Sequence, residues 1–178
     1  MSLVLLCLFD RMEKIAMKKF ELTADRIEEK GVTLHRIKAL IDFGDVKAGE
    51  LGGYVEKEEN LSQYGNAWVY RHAKVFGNAY IYGNAWVYGN AWVYDDAEVY
   101  SNARVCSNAD YIYLKGFGSH NRSTTIFRAK SGNICVSCGC FIGSLQEFEN
   151  KVKETHGNNK FAKEYLALVE AAKIHFEV

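Results

Sequence analysis

The sequence predicts a mainly β protein organised around a short parallel stack, and three observations carry that reading. Residues 51–110 repeat with a strict six-residue period, the repeat places branched and small residues in fixed slots, and the flanking segments carry hairpin and helix signals instead. In sixes the segment reads LGGYVE, KEENLS, QYGNAW, VYRHAK, VFGNAY, IYGNAW, VYGNAW, VYDDAE, VYSNAR, VCSNAD. A period of six suits neither an α-helix of 3.6 residues per turn nor a simple hairpin. It suits a coil whose flat sides are short strands and whose corners are tight turns.

Each slot has a physical role. The first holds Val or Ile at 69, 75, 81, 87, 93, 99 and 105 and fills the interior. The fifth holds Ala at 67, 73, 79, 85, 91, 97, 103 and 109, with Val55 and Leu61 before them, where a bulky side chain would clash near a corner. Gly-Asn in the third and fourth slots supplies the turn, because both tolerate the left-handed backbone region. The pattern resembles the hexapeptide repeat of the left-handed parallel β-helix. Three hexads per coil would stack residues 18 apart: Tyr64, Tyr82 and Tyr100 in one ladder, Trp68, Trp86 and Arg104 in another, Tyr70 over Tyr88, and Phe76 over Tyr94.

The remaining elements follow in chain order. Residues 1–16 form an N-terminal extension. Met1–Phe9 (MSLVLLCLF) is about half the ~20 residues that span a bilayer, and it lacks the basic flank of a secretory signal. Either Met17 is a second chain start, or Leu3–Ile15 is a short amphipathic helix packed on the body. Residues 17–50 are read as a β-hairpin cap, with strands Lys19–Thr23 and Thr33–Phe43 joined at Glu28–Gly31. An open stack exposes unpaired strand edges, so a cap is required. Residues 111–178 are read as an α+β unit of ββαα type. Its hairpin pairs Thr124–Arg128 with Gly132–Ile142 across Lys130–Asn133. Ser144-Leu-Gln-Glu147 is a capping box opening a helix with Leu145, Phe148 and Val152 on one face, ended by Gly157. A second helix runs from Asn159 to Ile174, with Phe161, Tyr165, Leu168, Val169 and Ala172 on its apolar side.

The 178 residues balance 22 basic against 22 acidic side chains, which excludes a nucleic-acid partner bound by phosphate neutralisation and offers no membrane-spanning run. Residues 51–110 carry a net −3 and residues 111–178 a net +3, which favours docking of the second on the first. Twelve of the 24 aromatic residues fall in the repeat. Trp68, Trp86, Trp92, Tyr70 and Tyr88 stand in outward slots and form an aromatic surface too large to stay bare. It is covered by the flanks of the same chain, by further copies in a homo-oligomer, or by a ligand. Five cysteines, an odd number without a signal, point to a reducing cytoplasm. In an extended strand Cys138 and Cys140 would share one face and Cys135 the other. With no second Cys-x-x-Cys or close His pair, no metal site is expected.

The run Arg36-Ile-Lys-Ala-Leu-Ile-Asp-Phe-Gly-Asp-Val-Lys-Ala-Gly-Glu-Leu-Gly-Gly-Tyr-Val55 and the GNAxVY hexads resemble a family of small hexapeptide-repeat proteins common in bacteria, phages and prophages. These proteins are labelled as transferases or as polymer-forming. Gly118-Ser-His-Asn-Arg-Ser-Thr-Thr-Ile-Phe-Arg128, Cys138-Gly-Cys-Phe141 and Thr155-His-Gly157 look like theirs too, so the resemblance covers residues 17–178. It implies the fold: a short left-handed parallel β-helix with an N-terminal β-hairpin cap and a C-terminal ββαα unit. Its enzymes are typically trimeric acyltransferases that use a His base and acetyl-CoA.

Two functional readings follow. One is a non-enzymatic binding or assembly module of phage or prophage origin, without cofactor. Its partner would be a copy of itself, a host protein or a small anionic ligand such as a nucleotide. The alternative is an acetyl-CoA-dependent acyltransferase. The hexads run without a loop excursion, and their only histidine, His72, occupies a turn slot, which weighs against catalysis on the repeat. The stretch that most resembles a site is Ser119, His120, Arg122, Thr124 and Arg128, whose hydroxyls, imidazole and guanidiniums could hold a phosphate or carboxylate. His120 and His156 are the catalytic candidates.

Overall fold

The computed structural model describes residues 18–178, so the two readings of residues 1–16 lie outside the described residues. Strands β1 (Phe20–Glu29) and β2 (Val32–Ala39) form the expected antiparallel hairpin, turning at Lys30-Gly31 with both residues at positive φ. β2 pairs antiparallel with β3 (Leu51–Val55), which runs parallel to the two-residue strand β5 (Lys74–Val75), itself parallel to β8 (Trp92–Val93). A second parallel set joins β4 (Trp68–Val69), β7 (Trp86–Val87) and β10 (Arg104–Val105). A third joins β6 (Tyr80–Ile81) and β9 (Glu98–Val99). Strands β11 (Tyr111–Phe117), β12 (Arg122–Arg128), β13 (Ile134–Cys138) and β14 (Phe141–Ser144) then form an antiparallel meander. Helices α1 (Leu145–His156) and α2 (Lys160–Phe176) follow.

The mainly β class is present, but the expected left-handed β-helix is corrected. The described residues form four small separate sheets, with no solenoid and no closed sheet. Each hexad gives only two residues to a ladder, because Gly-Asn or its equivalent turns the chain before a longer side can form. The N-terminal hairpin is paired into the stack. Through β3 it belongs to the five-stranded sheet β1-β2-β3-β5-β8. The C-terminal unit is ββββαα rather than ββαα: Tyr111–Phe117 is a strand, and the run 132–142 breaks at Gly139-Cys140 into two.

Within the parallel sets the 18-residue register is observed, Trp68 beside Trp86 beside Arg104. The first tier departs from it, since Val55 pairs with Val75 and Leu61 with Ile81. Two extra residues fall between Leu61 and Val69, which puts Val55 and Leu61 in the branched slot rather than the alanine slot. Tyr64 lies at this widened corner, 78% exposed and out of its expected ladder, while Tyr82 and Tyr100 stack at 5.3 Å and Phe76 and Tyr94 at 5.4 Å. The seven branched residues and Ala67 to Ala103 are all at most 1% exposed. Ala109 leaves the stack in a 3-10 turn and is exposed. The fourth-slot residues link the tiers: Asn66 Nδ2 donates to Asn84 Oδ1 at 3.0 Å, and Asn78 Nδ2 to Asp96 Oδ1 at 3.0 Å.

Tiers bond through backbone: Trp68 N donates to Ala85 O at 3.0 Å and Trp86 N to Ala103 O at 2.9 Å. At the first tier the equivalent carbonyl, Ala67 O, accepts instead from the side chain of Lys19 at 2.9 Å. Lys19 thus stands in for a missing strand. It is 1% exposed, its Nζ lies 5.0 Å from the Phe43 ring centroid, and burial lowers its pKa to about 8. Phe20 and Phe43 pack edge-on against Trp68, which is fully buried. The hairpin approaches this closely because Gly52 has no side chain: a Cβ there would lie 2.6 Å from Ile37 Cγ1 and from Val69 O.

The C-terminal meander covers another side of the stack. Tyr100 Oη donates to Val136 O at 3.0 Å and packs edge-on against Phe127, Ser137 Oγ donates to Glu98 at 2.9 Å, and Lys130 N donates to Asn102 O at 2.8 Å. Its far face builds a second core, in which Ile126, Ile134 and Val136 meet Leu145, Phe148, Val152, Leu168 and Val169 of the helices. Ser144 and Glu147 form the expected capping box, and Asn159 caps α2. Among the described residues no helix is long and apolar enough to cross a membrane.

Candidate functional site

The repeat offers no interior site, since its inward slots are filled. A cleft of about 460 Å³ opens instead in the C-terminal unit, lined by the loop before β12, the β13–β14 turn, α1 and Tyr165 of α2. Four segments converge there: the loop with Ser119, His120 and Arg122; the turn with Cys138, Cys140 and Phe141; α1 with Phe148, Lys151, Val152, Thr155 and His156; and Tyr165 of α2.

Local chemistry sets each wall. The loop reverses at Gly118, which has positive φ and lies directly against Tyr165, leaving no room for a Cβ. Gly118 N donates to Glu164 at 3.1 Å, and Tyr165 Oη donates to Phe117 O at 3.2 Å, so the loop is fastened to α2 from both sides. Burial, and then the Cys138 thiol beside it, push the Tyr165 hydroxyl well above its ordinary pKa, so it stays protonated. Cys138 Sγ in turn accepts from Thr124 Oγ1 at 3.2 Å. His156 ends α1 with its ring 6.0 Å from both Phe161 and Tyr165, and this packing orients the half-buried imidazole. His120 is exposed at the loop tip. Lys151, on the rim, pairs with Glu154 at 2.8 Å.

The structure thus brings together Ser119, His120, Arg122 and His156, and separates the other two members of the expected set. Thr124 is fully buried, spent on Cys138. Arg128 lies at the other end of the strand, where Nη2 donates to Phe176 O at 2.6 Å and the guanidinium covers the Phe176 ring, capping α2. Strand alternation would not separate Arg122, Thr124 and Arg128; the tertiary partners do. The remaining histidines serve structure or solvent: His35 Nδ1 bonds Thr23 O, His175 Nε2 bonds Ala109 O, and His72 is exposed on a turn. Lys151, Phe141, Phe148 and Tyr165 were missed, because only the packing of α1 against the β13–β14 turn makes them neighbours.

The cysteine geometry is also corrected. The chain turns at Gly139-Cys140, so Cys138 and Cys140 reach the same cleft from a turn rather than from one strand face, while Cys135 packs toward the stack. Burial raises the Cys135 thiol pKa. Among the described residues no three His, Cys, Asp or Glu side chains converge for a metal.

The expected aromatic surface is largely covered by the chain itself. Trp68 is fully buried, Trp86 lies under Arg104 at 4.0 Å and against Tyr70 at 5.2 Å, and Trp92 is flanked by Lys30 and Lys74 at 4.7 and 4.8 Å. Tyr88 remains 36% exposed, and Tyr80 38%.

No family model matches the chain. A stretch of 42 residues, 24% of this chain, is 48% identical to the uncharacterized acetyltransferase YdcK of Escherichia coli strain K12. That stretch is 13% of the relative's length, so the likeness concerns a small part of that protein.

Proposed function

We propose that the protein is an acyltransferase-like enzyme whose chemistry occurs in the C-terminal cleft, with acetyl-CoA as donor. The observation that carries this reading is the convergence of His120 and His156 on one cleft beside Arg122 and Lys151. The partial likeness to a protein named an acetyltransferase supports it. In such a transfer an acceptor hydroxyl or amine attacks the thioester carbonyl, an imidazole takes its proton, the C–S bond breaks, and the departing thiolate is reprotonated. His156, held by Phe161 and Tyr165, is the base; His120 on the open loop faces the leaving group. The reading places acyl transfer away from the hexads, where His72 stands alone.

The test follows thiol release from acetyl-CoA with a panel of small amines and alcohols. His156→Ala should lower turnover by about 10²–10⁴-fold, the usual contribution of a general base, in a protein that still unfolds cooperatively above the assay temperature. No thiol release with any acceptor, or full turnover by His156→Ala, would overturn the reading and leave a module that binds without transferring.

A further inference from the structure

Arg122 differs from every other arginine among the described residues. Arg36, Arg104 and Arg128 donate to backbone carbonyls, and Arg26 and Arg71 are exposed. Arg122 is half-buried, yet no hydrogen-bond acceptor and no carboxylate within ion-pair distance engages it among the described residues. A guanidinium presents five N–H donors in a fixed plane, and those of Arg122 face solvent in the cleft rather than protein acceptors, open to a ligand. The cleft lies on one side of Arg122. On the other is a smaller polar cavity of about 210 Å³, with Asp96, Glu98, Ser137 and Gly139 in its wall. Both carboxylates there have partners other than Arg122: Asp96 pairs with Lys115 at 2.6 Å, and Glu98 accepts from Ser137 at 2.9 Å.

The position of the guanidinium is built in. It lies across the β13–β14 turn against Gly139, where any Cβ would collide with Nη1, and Gly139 has a φ of 60°. Glycine here serves both the turn and the arginine. Beside the charge, the wall is apolar: Phe141, Phe148, Val152 and the Tyr165 ring. The volume falls within the range of small-ligand sites.

We propose that Arg122 is the anion anchor of this cleft, and that its ligand is a small amphiphile carrying a carboxylate or phosphate on an apolar, ring-sized body. The charged group would take the guanidinium fork in a bidentate contact, and the body would lie on Phe141, Phe148 and Tyr165. This rests on the acyltransferase reading of the cleft and, where the same body also carries the attacking hydroxyl or amine, names the acceptor class for the transfer proposed above.

Calorimetric titration of the full chain with four probes tests it: phenyl phosphate, benzoate, neutral benzyl alcohol, and inorganic phosphate without a body. At least one aromatic anion should bind, and benzyl alcohol and inorganic phosphate should each bind at least about tenfold more weakly, a single strong contact being lost in each. Which aromatic anion binds better separates phosphate from carboxylate ligands. Arg122→Gln should weaken the aromatic anion by at least about tenfold, and Arg122→Lys should recover only part, since lysine keeps the charge and loses the fork. Gly139→Ala should weaken it with Arg122 still present. Failure of both aromatic anions to bind, or equal affinity in Arg122→Gln, overturns the proposal. Anion binding lost in Arg122→Gln without any thiol release from acetyl-CoA upholds the anchor and overturns the enzyme. Thiol release with an aromatic amine or alcohol that carries a carboxylate or phosphate, dependent on His156 but indifferent to Arg122→Gln, overturns the anchor alone.

Discussion

Replacing Lys19 by methionine tests how the first tier of the stack is closed. Lys19 Nζ supplies the donor that a strand would otherwise bring to Ala67 O, and it does so while 1% exposed. Burial lowers its pKa from an ordinary 10.5 to about 8. Below pH 8 the folded and unfolded chains both hold the proton, and the folded state carries the full cost of a buried charge. Between pH 8 and 10.5 the unfolded chain holds more of the proton, so stability rises with pH, and the gain is complete above 10.5. Each pKa unit corresponds to about 1.4 kcal/mol, so Lys19 should add roughly 3 kcal/mol to the unfolding free energy across this window. Methionine keeps the length of the side chain without the charge. It removes the burial cost but leaves Ala67 O without its donor, a loss of about 1–3 kcal/mol. The two effects nearly cancel at pH 7, whereas at pH 10.5 only the loss remains. Urea unfolding of both proteins at pH 7, 8, 9, 10 and 10.5 gives the difference directly, and titrations common to both drop out of it. A wild-type advantage that grows by about 3 kcal/mol from pH 7 to 10.5 is expected. Parallel profiles would refute the description of Lys19 as a buried, weakly held cation.

Two further substitutions probe other joints. Gly52→Ala pushes a methyl into Ile37, Val69 O and Trp68, and should cost about 2–3 kcal/mol in urea unfolding, with a shifted tryptophan emission from the disturbed Trp68. Ser144→Ala removes the acceptor for Glu147 N at 3.2 Å and should cost about 1 kcal/mol in the same experiment, leaving Trp68 emission unchanged because α1 belongs to the second core.

Elements whose signals are local were legible in the sequence. The hexads announced their inward residues through period alone, and Ser144-Leu-Gln-Glu147 announced a helix start, because a capping box closes within four residues. Register failed where the period did: nothing local in Ser62-Gln63-Tyr64 shows that two residues are extra. Their role is tertiary, with Gln63 Oε1 accepting from Lys19 N at 2.8 Å. Lys19 itself reads as an ordinary surface lysine, since its buried position depends on a carbonyl 48 residues away. In the site, Ser119, His120 and Arg122 were visible as a polar cluster, but that cluster gives no reason to exclude Arg128. Only α2, ending with Phe176 O within its reach, draws Arg128 away. The six-residue period, through its resemblance to hexapeptide repeats, implies a left-handed β-helix, whereas two-residue strands divide the stack into separate sheets.

The division between stack and cleft follows from what each residue type is used for. In the repeat, the Val, Ile and Ala slots are consumed by the core, the Asn slots by the ladder between tiers, and many of the outward aromatics by the hairpin and by cations, which leaves few groups free for chemistry. The C-terminal unit uses the stack as a wall: Tyr100, Glu98 and Asn102 hold β13 and the turn after β12 through Val136, Ser137 and Lys130. With that sheet fixed on one face and the helices on the other, the segments left unspent are the loop 118–121 and the turn at Gly139-Cys140, both at the same edge. α1 ends beside them, because its first turn is capped at Ser144 immediately after β14 and its twelve residues run back along the sheet. The Arg122 guanidinium, unpaired among the described residues, and the two imidazoles therefore meet at an edge where the backbone is not committed to the stack, and the sheet docked on the repeat positions the cleft.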